Sequence, residues 1–203
     1  MTSKDKLDLY KLHKGEYVTP KTPQLIEAGS ARYISIEGQG GPGDEDFQAK
    51  MQALYGAAFT IKMTSKFAGR DYKVCHLEGL WWGDTPGGGF FELPRSRWRW
   101  RLMIRTPEFI GEGELAEAKT RLLAKGKGPE VESVTLADMA EGLCVQVLHV
   151  GPYDSEGETI ERMRSFAADE KLSFHGLHHE LYLSDARRVP PERLRTILRH
   201  PVR

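Results

Sequence analysis

The chain has 203 residues, 39% of them hydrophobic and 29% charged, a composition that can build a core and is not that of a disordered segment. Its 29 basic and 29 acidic residues cancel, which speaks against nucleic acid as the main partner, because phosphate binding leaves a basic footprint. No run approaches the roughly 18 consecutive apolar residues of a membrane span. The charged stretch Met1–Tyr17 has no apolar core of a secretory signal, so the expected compartment is the cytoplasm.

Residues 1–30 are polar, carry Pro20 and Pro23, and are expected to form an arm leading into the fold. A short alternating strand is predicted over Ala31–Glu37 and a turn over Gly38–Gly43. Asp44 then caps a helix of about five turns, with Phe47, Met51, Leu54, Ala58 and Ile61 as its apolar stripe. Tyr72–Trp82 and Arg97–Arg105 read as strands joined by a Gly/Pro-rich loop. In the second, Trp98, Trp100, Leu102 and Ile104 share one face, and Arg97, Arg99, Arg101 and Arg105 share the other. A helix over Glu112–Lys125 connects to the second half. There Leu143–Val150 reads as a strand and Gly151-Pro152-Tyr153 as a turn. Ser155 and Glu158 form an S-x-x-E capping box in front of Ile160, Met163 and Ala167. Strands follow at Leu177–Ser184 and Leu194–Val202. Cys75 and Cys144, each in its own apolar segment, read as buried reduced thiols.

The second half repeats the first. Gly38 precedes Phe47 as Gly151 precedes Ile160, Glu78–Asp84 (EGLWWGD) parallels His179–Asp185 (HELYLSD), and Ile104–Pro107 (IRTP) parallels Leu198–Pro201 (LRHP). The alignment sets Trp81 against Tyr182 and Gly79 against Glu180. The expected fold is therefore α+β, with two strand–helix–strand–strand units (about 31–107 and 142–203) related by a pseudo-twofold axis. Helices cover antiparallel sheets, and a ligand cleft lies between the halves.

Several motifs compete for the functional site. Gly38-Gln-Gly40-Gly-Pro-Gly43 fits G-x-G-x-x-G, but no acid follows at the expected interval and the turn of the second half lacks the pattern, so a permissive turn is favoured over a dinucleotide site. His175-x-x-His178-His179-Glu180 gathers four potential ligands, yet its spacing matches no standard zinc motif. On a strand His178 and Glu180 share a face while His179 points away, and a satisfied histidine group is favoured over a metal. The arginine row reads as a solvated face or as partners of acids such as Glu92 and Glu108. Glu180 sits within a strand that also carries Leu181 and Leu183, and its same-face neighbours are His178, Tyr182 and Ser184. A carboxylate there either pairs with an arginine or serves a ligand, and spacing leaves the two level. Trp81 and Trp82 must point to opposite faces, so large aromatics on both sides of the sheet are expected.

The elements H-V-G-P-Y (His149–Tyr153), H-H-E-L-Y-L-S-D (His178–Asp185) and P-P-E-R-L-R-T-I-L-R-H-P-V (Pro190–Val202) resemble the GyrI-like small-molecule-binding family over about residues 17–203. E-G-L-W-W (Glu78–Trp82), W-R-W-R-L-M-I-R-T-P-E-F (Trp98–Phe109) and the segment Phe47–Met63 are similar to a stand-alone subfamily, the cyclopropanoid cyclopropyl hydrolases. The resemblance implies a duplicated fold with an inter-half cleft, and a central acidic residue, Glu180, that faces bound drugs. It further implies hydrolytic opening of a strained cyclopropane inside an aromatic cage, with sequestration of flat aromatics or inhibition of a partner such as gyrase as the alternative. Under it Glu180 orients water, Tyr182 and Tyr153 donate hydrogen bonds, and Tyr55, Trp81, Trp82 and Trp100 form the cage. Phe109 and His178 are further ligand contacts. No cofactor or metal is implied, and a monomer with a small aromatic molecule as its partner is expected.

Overall fold

The computed structural model describes residues 6–84 and 90–203; residues 1–5 of the expected arm and residues 85–89 of the glycine-rich loop lie outside the described residues. The strands are β1 (Gln24–Ala28), β2 (Ala31–Gln39), β3 (Leu77–Trp82), β4 (Arg99–Thr106), β5 (Thr135–Met139), β6 (Gly142–Val150), β7 (His178–Tyr182) and β8 (Arg195–Pro201). The helices are α1 (Leu9–Leu12), α2 (Lys14–Tyr17), α3 (Glu45–Phe67), α4 (Glu112–Leu123) and α5 (Glu156–Asp169).

All eight strands join one antiparallel sheet in the order β1-β6-β8-β7-β3-β4-β2-β5. The duplication expected from the sequence is visible in that order, since β6-β8-β7 mirrors β2-β4-β3 about the central β7–β3 pair. In that pair Gly79 lies directly opposite Glu180, as the alignment of the halves placed them, so the pseudo-twofold axis passes close to these two residues. One sequence match slips. Leu102 faces Gly79 and Leu198 faces Glu180, so the ladder relates 198 to 102, two residues from the match to 104. A slip of two keeps every side chain on its face.

The sheet is curled, and chain length proves it. β1 and β2 stand six strand positions apart, about 29 Å in a flat sheet, yet the chain from Ala28 to Ala31 spans at most about 11 Å. β5 and β6 are six positions apart as well, and Met139 is linked as shortly to Gly142. Both ends therefore bend toward each other. One surface of the curl carries the helices. α3 packs on β2 and β4 through Leu54, Ala57, Ala58 and Ile61, against Ile34, Leu102 and Ile104. α5 packs through Ile160, Met163 and Ala167 against Val145, Val147 and Leu198. The other surface is buried without a long helix, by Tyr33, Leu80 and Met103 on one side and Leu148, Leu181 and Ile197 on the other.

Residues 6–30 are not a detached arm. Gln24–Ala28 completes the sheet at β6, Leu7 bridges to Tyr72, and Leu9 and Tyr17 are buried. Polar alternation hid this edge strand, because only one of its faces meets the core; β5, the other edge, escaped notice likewise. The predicted strand from Tyr72 begins at Leu77, since Tyr72 pairs with the N-terminal segment instead. Neither expected helix cap forms. The Asp44 carboxylate turns back to accept from the Gly41 amide (2.6 Å), closing the glycine turn, and the Ser155 hydroxyl donates to the Pro152 carbonyl (2.7 Å). The glycine motif is thus a turn held by Asp44. Gly38 is needed within it, because a Cβ there would stand 2.2 Å from the Trp100 indole. Cys75 and Cys144 are free and buried, with thiols pushed up to about 12 by burial.

Candidate functional site

The pseudo-twofold axis sets β3 and β7 side by side, in the seam between α3 and α5. Strand alternation puts Gly79 and Trp81 on the helix side of β3, and His178, Glu180 and Tyr182 on the helix side of β7. Trp81 and Tyr182 reach toward each other over Gly79, and Trp81 Nε1 donates to Tyr182 Oη (2.9 Å). Glycine is required beneath them: a Cβ at position 79 would meet Trp81 Nε1 at 2.9 Å and Tyr182 Oη at 3.0 Å.

Aromatic rings enclose this pair. Phe47 of α3 and Phe90 both lie nearly parallel to the Trp81 indole, at 6.1 and 6.0 Å between centroids. Trp98 meets Trp81 and Phe90 edge-on at 6.0 and 5.0 Å. Tyr153, at the start of the second-half helix, stands edge-on to Tyr182 at 5.9 Å and is itself partly exposed, at the mouth. Such offset and T-shaped arrays are favoured by ring quadrupoles and present flat apolar walls.

At the β7 side of the cleft are two carboxyls and an imidazole. Glu180 lies 3.4 Å from His178 Nε2 and pairs with no arginine among the described residues, so the ordinary arginine ion pair is not what holds it. Glu156, in the first turn of α5, is 1% exposed. Atoms of Glu156, His178 and Glu180 converge within 4.8 Å of one another. Burial, and next the charge of Glu180, push the Glu156 carboxyl well above the usual carboxylate range. Burial and then Glu180 also raise both phenols, Tyr153 to about 12 and Tyr182 well above the tyrosine range. Both are therefore neutral hydrogen-bond donors.

The structure brings together Glu180, Tyr182, Tyr153, Trp81 and His178 of the expected set. It separates the rest. Trp82 points to the opposite surface and packs with Tyr33, Leu80 and Met103, as the neighbour of an inward Trp81 on a strand must. Trp100 is wholly buried behind Phe47, its Nε1 donating to the Gly40 carbonyl (3.2 Å); it is core rather than cage. Phe109 packs on Tyr72 and Arg70, in the α3-side core. Tyr55 stacks on Phe59, and its phenol is raised by burial while sensing Arg187 and Asp185, which places it at the margin. Glu156, Phe90, Phe47 and Trp98 were missed as site residues. Glu156 directly follows the apparent cap Ser155, where an acid reads as ordinary helix-dipole complementarity.

Three of the four arginines of the row are partnered, by acids other than Glu92 and Glu108: Arg97 with Asp84, Arg101 with Glu37, and Arg105 with Glu16 (2.8 Å); Arg99 is exposed, with no ion pair among the described residues. His179, on the far side of β7, joins a buried network. Its Nδ1 lies 2.9 Å from Glu141 and its Nε2 3.1 Å from Glu78, while Arg199 donates to Glu141 (2.9 Å) and Gln146 (2.8 Å).

Comparison with known proteins follows this geometry. The family model of the GyrI-like small molecule binding domain matches residues 21–203. An uncharacterized conserved protein from Listeria innocua is 36% identical, with a TM-score of 0.91 over 98% of this chain and 100% of the other. A protein described as a hydrolase from Listeria innocua is 35% identical, with a TM-score of 0.87 and the same coverage. The C-terminal domain of EcmrR shares the fold at 13% identity and a TM-score of 0.57, over 90% of this chain and 97% of the other. Among curated proteins none matches significantly. No helix among the described residues is long and apolar enough to cross a membrane.

Proposed function

The chain belongs to the GyrI-like small-molecule-binding family, and from that premise we propose that its central cleft binds flat aromatic compounds and hydrolyses the cyclopropane ring of DNA-alkylating cyclopropanoids. The observation that carries this reading is the Trp81–Tyr182 pair bonded over Gly79, with the Glu180 carboxylate beside it, paired with His178 and with no arginine or lysine among the described residues. The hydrolase description of a Listeria innocua relative at 35% identity supports the catalytic half.

The residues suit the chemistry. In such a compound the cyclopropane is conjugated to a dienone. Water's oxygen bonds to the cyclopropyl methylene, and the ring bond to the dienone carbon breaks. The released electron pair moves to the carbonyl oxygen, which takes up a proton and becomes a phenol. Neutral Tyr182 and Tyr153 can donate to that oxygen as negative charge builds on it. Glu180 accepts a hydrogen bond from the attacking water and receives its proton. Trp81, Phe47, Phe90 and Trp98 provide flat walls that hold the ligand and exclude bulk water.

The test is turnover with cyclopropanoid in excess over protein, following by mass spectrometry the product that has gained one water. Many equivalents of product per chain are expected. Conversion or capture that stops at one equivalent would leave a sequestering protein and remove the hydrolytic step.

A further inference from the structure

The buried acids of the molecule fall into two groups. Glu78 and Glu141 each face a cationic partner, His179 or Arg199. Glu156 and Glu180 pair with no lysine or arginine among the described residues, and His178 lies 3.4 Å from Glu180. Glu156, His178 and Glu180 are 1%, 5% and 6% exposed. Two of the converging atoms, Glu156 Oε1 and His178 Nε2, are buried with no hydrogen-bond partner. Buried polar atoms without partners are costly, and buried carboxylates without a cation more so. A cation seated among them removes both penalties.

We propose that Glu156, His178 and Glu180 form a binding site for one divalent transition-metal ion of the zinc, cobalt or manganese type. The fold supplies the arrangement. His178 and Glu180, two apart on β7, project from the same face, and the first turn of α5 lays Glu156 over them. Tetrahedral donors about 2.1 Å from an ion stand roughly 3.4 Å apart, and His178 Nε2 is 3.4 Å from Glu180 Oε1. The full set, within 4.8 Å, needs only side-chain rotation to close on an ion. One imidazole with two carboxylates is a borderline-to-hard donor set, which suits these ions better than the soft monovalent ones. Three protein ligands leave at least one coordination position open toward the cleft for water or a ligand oxygen. An organic cation is the competing occupant. The imidazole favours the metal, because its unpartnered nitrogen is a strong ligand for an ion and a weaker acceptor for an ammonium group.

The site uses Glu180, the general base of the proposed hydrolysis, so the ion and that step compete for one carboxylate; the site does not rest on the hydrolysis, and its test contains no organic ligand. Chelator-treated protein is titrated with Co2+ and its visible ligand-field absorption is followed. The expected result is saturation at one equivalent per chain, displacement by Zn2+, and at least about tenfold weaker binding in Glu156→Gln and His178→Gln. His200→Gln, which alters the neighbouring imidazole 6.0 Å away, should bind as wild type does. Absence of a saturable band in the wild-type protein overturns the proposal without any variant. So does a band that persists in folded Glu156→Gln and His178→Gln, folding being checked by near-ultraviolet circular dichroism.

Discussion

β7 offers similar residue types to its two faces and uses them in opposite ways. Behind the sheet, His179 stands between Glu78 and Glu141, and Arg199 completes the group, so acids and bases alternate. In front, one residue along the strand in either direction, His178 and Glu180 meet a second acid, Glu156, with no arginine or lysine among the described residues to balance them. The rear cluster balances its acids with its own bases, although Glu78 Oε2, Glu141 Oε1 and His179 Nε2 are, like the front atoms, buried without a hydrogen bond. The front cluster, equally buried, lies beside the aromatic rings around Trp81 and Tyr182. Burial does not separate the two; charge balance does, and an unbalanced buried cluster is the one expected to act on something else.

Breaking the rear cluster should cost the most. Arg199→Met keeps the approximate volume but strands Glu141 without its guanidinium. A loss of about 3–5 kcal/mol is expected in urea-induced unfolding, the range for removing one partner of a buried pair. A loss near zero would show that the rear network is not structural. Gly79→Ala comes next. Its methyl would enter between Trp81 and Tyr182, where a Cβ finds contacts at 2.9 and 3.0 Å, and overpacking of this kind costs about 1–3 kcal/mol. The loss should be accompanied by a changed tryptophan fluorescence, because the indole loses its bond to Tyr182; an unchanged spectrum and stability would mean that the close approach is not what fixes the pair.

The rear cluster should also leave a mark on the pH dependence of stability. Burial alone would lower the pKa of His179, but Glu141 and then Glu78 outweigh it and raise it to about 9. Burial would raise Glu141, yet His179 and Arg199 hold it at about 2. A raised histidine contributes stability that is complete below its unfolded value and is lost as pH climbs through its folded one, here between about 6.5 and 9. A lowered carboxylate contributes stability that is present above its unfolded value and is lost as pH falls from about 4.5 to 2. The melting temperature should therefore fall on both flanks, and His179→Gln should flatten the alkaline one. An alkaline limb of equal slope in that variant would place the titrating group elsewhere.

The sequence disclosed much of this. Alternation gave the helix-facing side of β4, the apolar period gave α3, and the internal repeat placed Gly79 opposite Glu180, the pair at the pseudo-twofold axis. The edge strands were hidden because each shows only one face to the core. The aromatic cage was half legible. Strand parity requires Trp81 and Trp82 to part, but it cannot say which of them meets the cleft; that depends on which surface the helices cover. Trp100 shares the parity of the cleft residues and still lies outside the cleft, because Phe47 stands in front of it. Glu156 was invisible for a different reason. Its place beside His178 and Glu180 comes from the packing of α5 on the sheet, a tertiary fact that no local pattern encodes.

The smallest effect on stability belongs to the cleft, and there the two clusters differ most sharply. Glu180 has no arginine or lysine partner among the described residues, so Glu180→Gln should be as stable as the wild type or more stable by about 1 kcal/mol, as is common where a site holds groups for function. Its turnover of a cyclopropanoid should fall by at least about 100-fold, the scale of a lost general base. Measuring turnover and unfolding free energy on this one variant tests the central claim most directly. Lost turnover with retained stability is the expected result. A variant as fast as the wild type, or one destabilised as severely as Arg199→Met, would contradict it.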